Sequence, residues 1–258
     1  MPRSGKKKKK NHMTISVLLI ILFLMVGLVV YNYYFHRLED TGVYHPSFGI
    51  RIPDGYAIHG IDVSRHQQRI NWQQVATMKS KGKSIQFCFI KATQGNYRTD
   101  DYFDRNWRKS KEAGLIRGAY HYFDSRVSGE IQAIYFLRNY ESESGDLPPV
   151  LDVEEQNNIH PSIIRREVKK WLDYVKKKTG VQPLIYTNTR FYRNILGESF
   201  DEYPFWVAHY HDGDEPRVYR QWHFWQHSES GNVNGIKGKV DFNVYSGDSL
   251  SFDKIRIK

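Results

Sequence analysis

Hydrophobic positions fall along this chain in two regimes. From Ile15 to Val30 they run almost unbroken and without a charge, and continuing to Phe35 brings the stretch to the length of a bilayer crossing. Tyr31, Tyr33 and Tyr34 stand where the aromatic belt of a membrane interface belongs. A run with no polar face is not the pattern of a core helix in a soluble domain. No small-x-small cleavage site follows it, so residues 15–35 are expected to be an uncleaved signal anchor. From residue 57 the pattern changes to short β-rich runs separated by helical periodicity. Strands are predicted over 58–64, 85–93, 116–123, 149–154, 183–188, 205–210, 223–227 and 240–245. Helices are predicted over 72–81, 102–113, 129–140 and 162–179. In the last of these, Ile164, Val168, Trp171, Leu172 and Val175 make one apolar stripe, with Gly180 as C-cap and Pro183 as a stop. After residue 200 the helical patterns thin out. The expected fold is therefore an α/β protein, a modified, TIM-like β/α barrel preceded by a transmembrane helix. About five β/α units would be followed by three strands with few helices. An open doubly wound sheet is the alternative, but no Gly-rich nucleotide loop follows the first strand. Residues 36–56 read as a linker or an N-terminal extension. The predicted division is a basic tail over 1–14, the anchor over 15–35, this extension, and the barrel domain over 57–258.

Charge sharpens the membrane reading. The 258 residues carry 38 Lys+Arg against 28 Asp+Glu, a net charge of +10. Arg3 and Lys6 to Lys10 supply six of the positive charges, and without them the balance is 32 against 28, or +4. The basicity is thus mostly a terminal tag, which suits anionic lipid heads and gives no support to nucleic-acid binding. The positive-inside rule keeps that tail cytoplasmic and sends the barrel domain to the periplasm or cell exterior. At 40% hydrophobic and 15% aromatic residues the chain buries a large core, which excludes disorder over most of its length. The single cysteine, Cys88, excludes an internal disulfide and sits in an apolar run, Phe87-Cys88-Phe89-Ile90, as a core residue. A monomer is expected.

Polar residues gather at the predicted strand ends, where a barrel keeps its chemistry. Asp62 ends strand one, Lys91, Thr93 and Gln94 strand two, and Tyr120, His121 and Tyr122 lie toward the end of strand three. Asp152 and Glu154 end strand four, Tyr186 and Asn188 strand five, His209 strand six and Gln226 strand seven, while Asp241 opens strand eight. Buried carboxylates are costly unless paired, so several on one barrel end point to function. In Leu151-Asp152-Val153-Glu154 the two acids face the same side of a strand, about 6–7 Å apart. Two carboxyls that close cannot both ionise freely; one becomes a general acid near neutrality, the requirement for cleaving a glycosidic bond. Tyr120, Tyr122, Tyr186, Trp206, Tyr210, Trp222 and Trp225 would offer flat faces to sugar rings. A metal-dependent hydrolase is a second reading, drawing on His59, Asp62, His66, His121, His209 and His211, but only His209-Tyr210-His211 has suggestive spacing. A third is a membrane-tethered, non-catalytic cell-wall-binding barrel.

Eight segments, in order, resemble the family 25 glycoside hydrolases, the Chalaropsis-type lysozymes. They are His59-Gly60-Ile61-Asp62-Val63-Ser64, Phe89-Ile90-Lys91-Ala92-Thr93-Gln94-Gly95, Gly118-Ala119-Tyr120-His121-Tyr122-Phe123 and Leu151-Asp152-Val153-Glu154. Then come Ile185-Tyr186-Thr187-Asn188, Trp206-Val207-Ala208-His209-Tyr210, Trp225-Gln226-His227-Ser228 and Val240-Asp241-Phe242-Asn243. The resemblance spans about residues 57–250 and implies an N-acetylmuramidase that needs no cofactor or metal. Its partner would be peptidoglycan glycan strands, cut at the β-1,4 bond from N-acetylmuramic acid to N-acetylglucosamine. It implies Glu154 as general acid/base, and Asp152 as the carboxylate assisting the substrate's acetamido group. Asp62 and Asp241 would be the other acids of the cleft; from the strand-end pattern, Tyr120, Tyr122, Tyr186, Trp206, His209 and Gln226 are the expected substrate contacts. Two positions depart from the family pattern: Gln94 replaces the usual Glu, and His227 stands where Tyr is common.

Overall fold

The computed structural model describes the backbone of residues 6–38, 42–210 and 213–258, and side chains from residue 14 except at 33–41 and 211–212. It forms two compact units, residues 1–41 and 42–258. The first is one helix, Lys6–Leu38, in which Thr14–Asn32 has a mean hydropathy of 2.8 and its side chains exposed. By length and composition this helix is able to cross a membrane.

The second unit is a closed eight-stranded barrel. Its strands are β1 (His59–Val63), β2 (Lys83–Gln94), β3 (Ile116–Tyr122), β4 (Val150–Asp152), β5 (Leu184–Asn188), β6 (Phe205–Ala208), β7 (Phe224–Gly231) and β8 (Val240–Tyr245). Strands β1 to β7 run parallel. Strand β8 closes the ring antiparallel to both β7 and β1. That reversal needs only a short connection, which is why no helix separates β7 from β8. Helices α1 (Trp72–Thr77), α2 (Phe103–Glu112), α3 (Gly129–Asn139) and α4 (Pro161–Thr179) cover the outside after β1 to β4. The fifth unit is reduced to helical turns over 189–200, and α5 (Ser249–Ile255) ends the chain.

Several boundaries move from the sequence reading. The helix predicted over 72–81 stops at Thr77, because Lys79–Ser80 pairs back on the start of β2 through a turn at Lys81 and Gly82, both at positive φ. Residues 43–52, assigned to the extension, form a hairpin of Val43–His45 with Ile50–Ile52. Phe48, Ile50 and Ile52 are buried in the same core as the barrel's outer face, so the second compact unit starts at Gly42.

Strict alternation separates two cores. Outward residues such as Ile61, Cys88, Ile90, Leu151, Val153 and Ile185 pack under the helices. Cys88 is fully buried there, and burial pushes its thiol up to about 12. Inward residues Phe87, Phe89, Trp206 and Phe224 fill the barrel, whose far end is closed by Phe252 of α5 against Phe87 and Tyr245. Gly60 and Gly118 leave the room those rings need: a Cβ would lie 2.4 Å from Phe87 and 2.7 Å from Phe89, respectively. This aromatic plug supports a polar layer at the carboxyl ends of the parallel strands.

Candidate active site

Above the plug lies an acidic cleft of about 430 Å³, within the range of small-molecule sites. It is lined by Asp62, Ser64, His66, Lys91, Tyr120, Tyr122, Asp152, Glu154, Tyr186, Trp206, Tyr210, Gln226, Glu229 and Asp241. Each inward position is the continuation of a strand that carries apolar residues deeper in the barrel: Phe87 and Phe89 lead to Lys91, and Phe224 leads to Gln226. Because β8 is antiparallel, its first inward residue, Asp241, reaches the same end as the last inward residue of β1, and Asp241 lies directly opposite Asp62.

Asp62 is held by a defined network. Its Oδ2 accepts from Gln226 Nε2 at 2.8 Å and from Asn243 Nδ2 at 2.8 Å. Gln226 is in turn fixed in orientation, since its Oε1 accepts from the hydroxyls of Tyr186, at 2.8 Å, and Tyr210. Asn243 is fixed likewise, its Oδ1 accepting from Trp206 Nε1 at 2.7 Å. Burial, the charge of Asp62 and a hydrogen bond between the two acids push Asp241 up to about 9. Asp62 itself is raised by burial, partly offset by bonds from Asn243, Gln226 and Asp241. The two acids therefore share a proton across β1 and β8.

Asp152 and Glu154 occupy the β4 side. Regular pairing of β4 ends at Asp152, earlier than predicted, yet Val153 N–H still bonds the carbonyl of Tyr186 at 3.0 Å. Val153 therefore points outward and both acids line the cleft. Asp152 is 5% exposed, and its Oδ1 has no hydrogen-bond partner among the described residues. Burial, then the charge of Glu154, raises its pKa well above the ordinary carboxylate range. Glu154 is raised too, by burial and then by Asp62. Lys91 is the one ammonium group lining the cleft among the described residues, facing five carboxyl groups. It lies over the ring of Tyr122 at 4.2 Å and donates to Gln94 Oε1 at 3.0 Å. Burial lowers its pKa, and the charges of Asp152 and Asp100 counter this.

Of the ten residues singled out from sequence, nine line this cleft: Asp62, Asp152, Glu154, Asp241, Tyr120, Tyr122, Tyr186, Trp206 and Gln226. Trp206 is only 2% exposed and forms the floor, stacked on Phe89 at 4.3 Å. His209 is placed elsewhere: its Nδ1 accepts from the Arg217 N–H at 3.0 Å, so the ring serves the following loop. Trp222 and Trp225 also point away, packing with Tyr56 outside the barrel.

The histidines of the metal reading disperse. His121 is buried between Thr93 and Gln132 in the layer under α3, and burial lowers it to about 3. His59 is buried and lowered to about 4, while His66 lies at the cleft. His211 lies outside the described residues. Gln94 does not line the cleft; its side chain holds Lys91. His227 faces the outer core beside Trp225 and Phe242, and the structure gives its replacement of Tyr no further explanation.

Asn243 and Glu229 were not among the candidate site residues read from the sequence, and Lys91 was placed at the end of strand two without a role. Lys91 and Asn243 follow the inward period of Phe87–Phe89 and of Asp241, and counting by twos along β2 and β8 finds both. Glu229 escapes such a count, because the β7–β8 register shifts on either side of Ser228.

Comparison with known proteins identifies the family and the fold. Residues 61–236 match the model of the glycosyl hydrolases family 25. YegX of Escherichia coli, an uncharacterized protein, is 52% identical over 201 residues, covering 78% of this chain and 74% of its own. Lysozyme M1 of Streptomyces globisporus is 35% identical over 211 residues, 76% of this chain and 70% of its own. A family 25 glycosyl hydrolase from Bacillus anthracis superposes with a TM-score of 0.72 at 28% identity, covering 83% of this chain and 99% of that structure. The chain belongs to family 25 of the glycosyl hydrolases and is a glycoside hydrolase of the lysozyme type.

Proposed function

We propose that this protein is a membrane-anchored N-acetylmuramidase that hydrolyses the β-1,4 bond from N-acetylmuramic acid to N-acetylglucosamine in peptidoglycan. The observation that carries this reading is the buried, unpartnered Oδ1 of Asp152 beside a protonatable Glu154. An orphaned buried acceptor costs free energy until a donor reaches it, and the N–H of a 2-acetamido group is such a donor.

In the proposed reaction Glu154 gives its proton to the glycosidic oxygen as the C1–O bond breaks. The acetamido carbonyl oxygen closes on C1, and Asp152 accepts the N–H and balances the positive charge of the resulting oxazolinium ring. Water then attacks C1 as the C1–O bond of the oxazolinium ring breaks and the acetamido group is restored, while the Glu154 carboxylate takes the water's proton, restoring the acid and retaining the anomeric configuration. In the free enzyme, burial and Glu154 hold Asp152 toward its neutral form. An N–H bond to Oδ1, with Lys91 nearby, favours the carboxylate, so binding an acetamido sugar itself prepares Asp152. Asp62, Asp241, Gln226 and the tyrosines shape the floor on which that sugar ring rests.

The basic tail and the apolar helix support a single-pass topology with the tail in the cytoplasm and the catalytic unit outside it. Digestion of purified sacculi with residues 42–258, followed by mass spectrometry of the new reducing ends, tests the reaction. N-acetylmuramic acid at those ends is the expected result; N-acetylglucosamine, or no release, would overturn it.

A further inference from the structure

A second cavity, of about 320 Å³, opens beside the acidic cleft at the ends of β4 and β5. Glu154 is the one residue that lines both. A general acid must stand between the two sugars it separates, because its proton goes to the oxygen joining them. With Asp152 in the acidic cleft, the sugar that undergoes attack lies there, and the departing sugar lies across Glu154.

The second cavity has a specific chemistry. Its floor is apolar, from Phe191 and Ile195, both nearly buried. Of the three amides that line it, Gln156, Asn188 and Asn194, the first two present one free end each. Asn188 Oδ1 accepts the Phe191 N–H at 2.8 Å, which leaves its NH2 as the available donor. Gln156 Nε2 donates to the Ile159 carbonyl at 3.1 Å, which leaves its oxygen as the available acceptor. Arg190 adds an exposed guanidinium that makes no ion pair or hydrogen bond among the described residues. The donor of Asn188, the acceptor of Gln156 and the apolar floor match the carbonyl, N–H and methyl of an acetamido group, and Asn194 adds an amide able to serve either polar end. An unpaired cation at the wall opposes a second positive charge, with no carboxylate other than that of Glu154 lining the cavity to offset it.

We propose that this cavity is the leaving-sugar subsite, that it selects a 2-acetamido sugar over the 2-ammonio sugar left by N-deacetylation, and that Arg190 determines that selection. The inference rests on the muramidase reading for which sugar lies where, but the cavity's preference is measurable apart from turnover. The substrates are the tetrasaccharide of alternating N-acetylmuramic acid and N-acetylglucosamine, and the same molecule with glucosamine replacing N-acetylglucosamine. At about pH 6, where a sugar amine carries its proton, wild-type kcat/KM is expected to be about tenfold or more lower on the amine. Arg190→Gln should shrink that ratio to about threefold, and Arg190→Glu should reduce it further or invert it, by exchanging repulsion for attraction. Equal cleavage of both substrates by wild type, or a ratio that neither substitution moves, overturns the proposal.

Calorimetric binding of the two tetrasaccharides to the Glu154→Gln protein separates this inference from the reaction itself. If wild type turns over neither, yet Glu154→Gln binds the acetylated form about tenfold tighter and Arg190→Glu removes that preference, the subsite stands and the muramidase reading falls. Equal binding of both forms alongside normal turnover sinks the subsite alone.

Discussion

Two residues apart in sequence, Asp152 and Glu154 meet different surroundings. Asp152 is buried with an unanswered oxygen, whereas Glu154 is partly open and borders two cavities. Glu154→Gln keeps the shape and removes the titratable proton. Turnover of sacculi should fall by about 10²–10⁴-fold or more, while the melting temperature stays at or above that of wild type, since an acid penalised by burial is lost. Wild-type activity in that variant would contradict the assignment. Asp241 makes a pH-dependent prediction. Its folded pKa of about 9 lies above the ordinary value of 3.8, so between these limits the folded state holds a proton that the unfolded state has released. Stability therefore falls as pH rises through that window. Asp241→Asn cannot titrate, so its melting temperature relative to wild type should rise from pH ~5 to pH ~8, by several degrees at the upper end. A constant difference across that range would refute the shared proton. At this scale the sequence was informative about which acids matter, through the strand-end pattern and the D-x-E spacing. It said nothing of their protonation, which depends on burial and on neighbours up to 181 positions away, as with Asn243 on Asp62.

Among the elements, the barrel strands were the most legible, because alternation of inward and outward residues is a local property with period two. Their ends were less so. Strand β7 outruns its expected end at residue 227 to reach Gly231, and β4 closes at Asp152, since pairing with a neighbour decides where a strand stops. The direction of β8 had no local signal at all. A strand reads the same from sequence whether it runs up or down, yet the antiparallel choice is what sets Asp241 opposite Asp62. The close-packed interior makes a test at this level. Gly60→Ala brings a methyl to 2.4 Å from the Phe87 ring, which is itself wedged against Phe89, Phe224 and Phe252. Overpacking of this kind should cost about 1–3 kcal/mol in denaturant unfolding. A neutral Gly60→Ala would show that the aromatic plug yields more than its packing implies.

For the whole molecule, the N-terminal helix and the barrel are separate compact units. The full chain is expected in the membrane fraction, resistant to extraction by high salt, and residues 42–258 in the soluble fraction with their far-UV spectrum and sacculus-degrading activity retained. Salt release of the full chain would replace the anchor with electrostatic adhesion of the basic tail. A shorter piece starting at residue 57 should be less stable, because it loses the buried Phe48, Ile50 and Ile52. That boundary was not legible: three apolar residues in a Pro/Gly-rich stretch carry no periodicity, and only the groove they fill makes them core. What the sequence determined by itself was everything that depends on neighbours along the chain. The uncharged apolar span, the basic tag, the strand–helix rhythm and the run of family motifs are of this kind, and together they specify a β/α glycoside hydrolase behind a helix long and apolar enough to cross a membrane. Tertiary structure alone decided what depends on neighbours in space. Closing the ring with a reversed strand brought Asp62 of β1, Asp241 of β8, Asp152 of β4 and Glu154 just beyond it to one end, turned His209 toward a loop, and set Glu154 between two cavities. Pairwise contacts across a barrel join residues a hundred or more positions apart, and no local pattern encodes a distance of that kind.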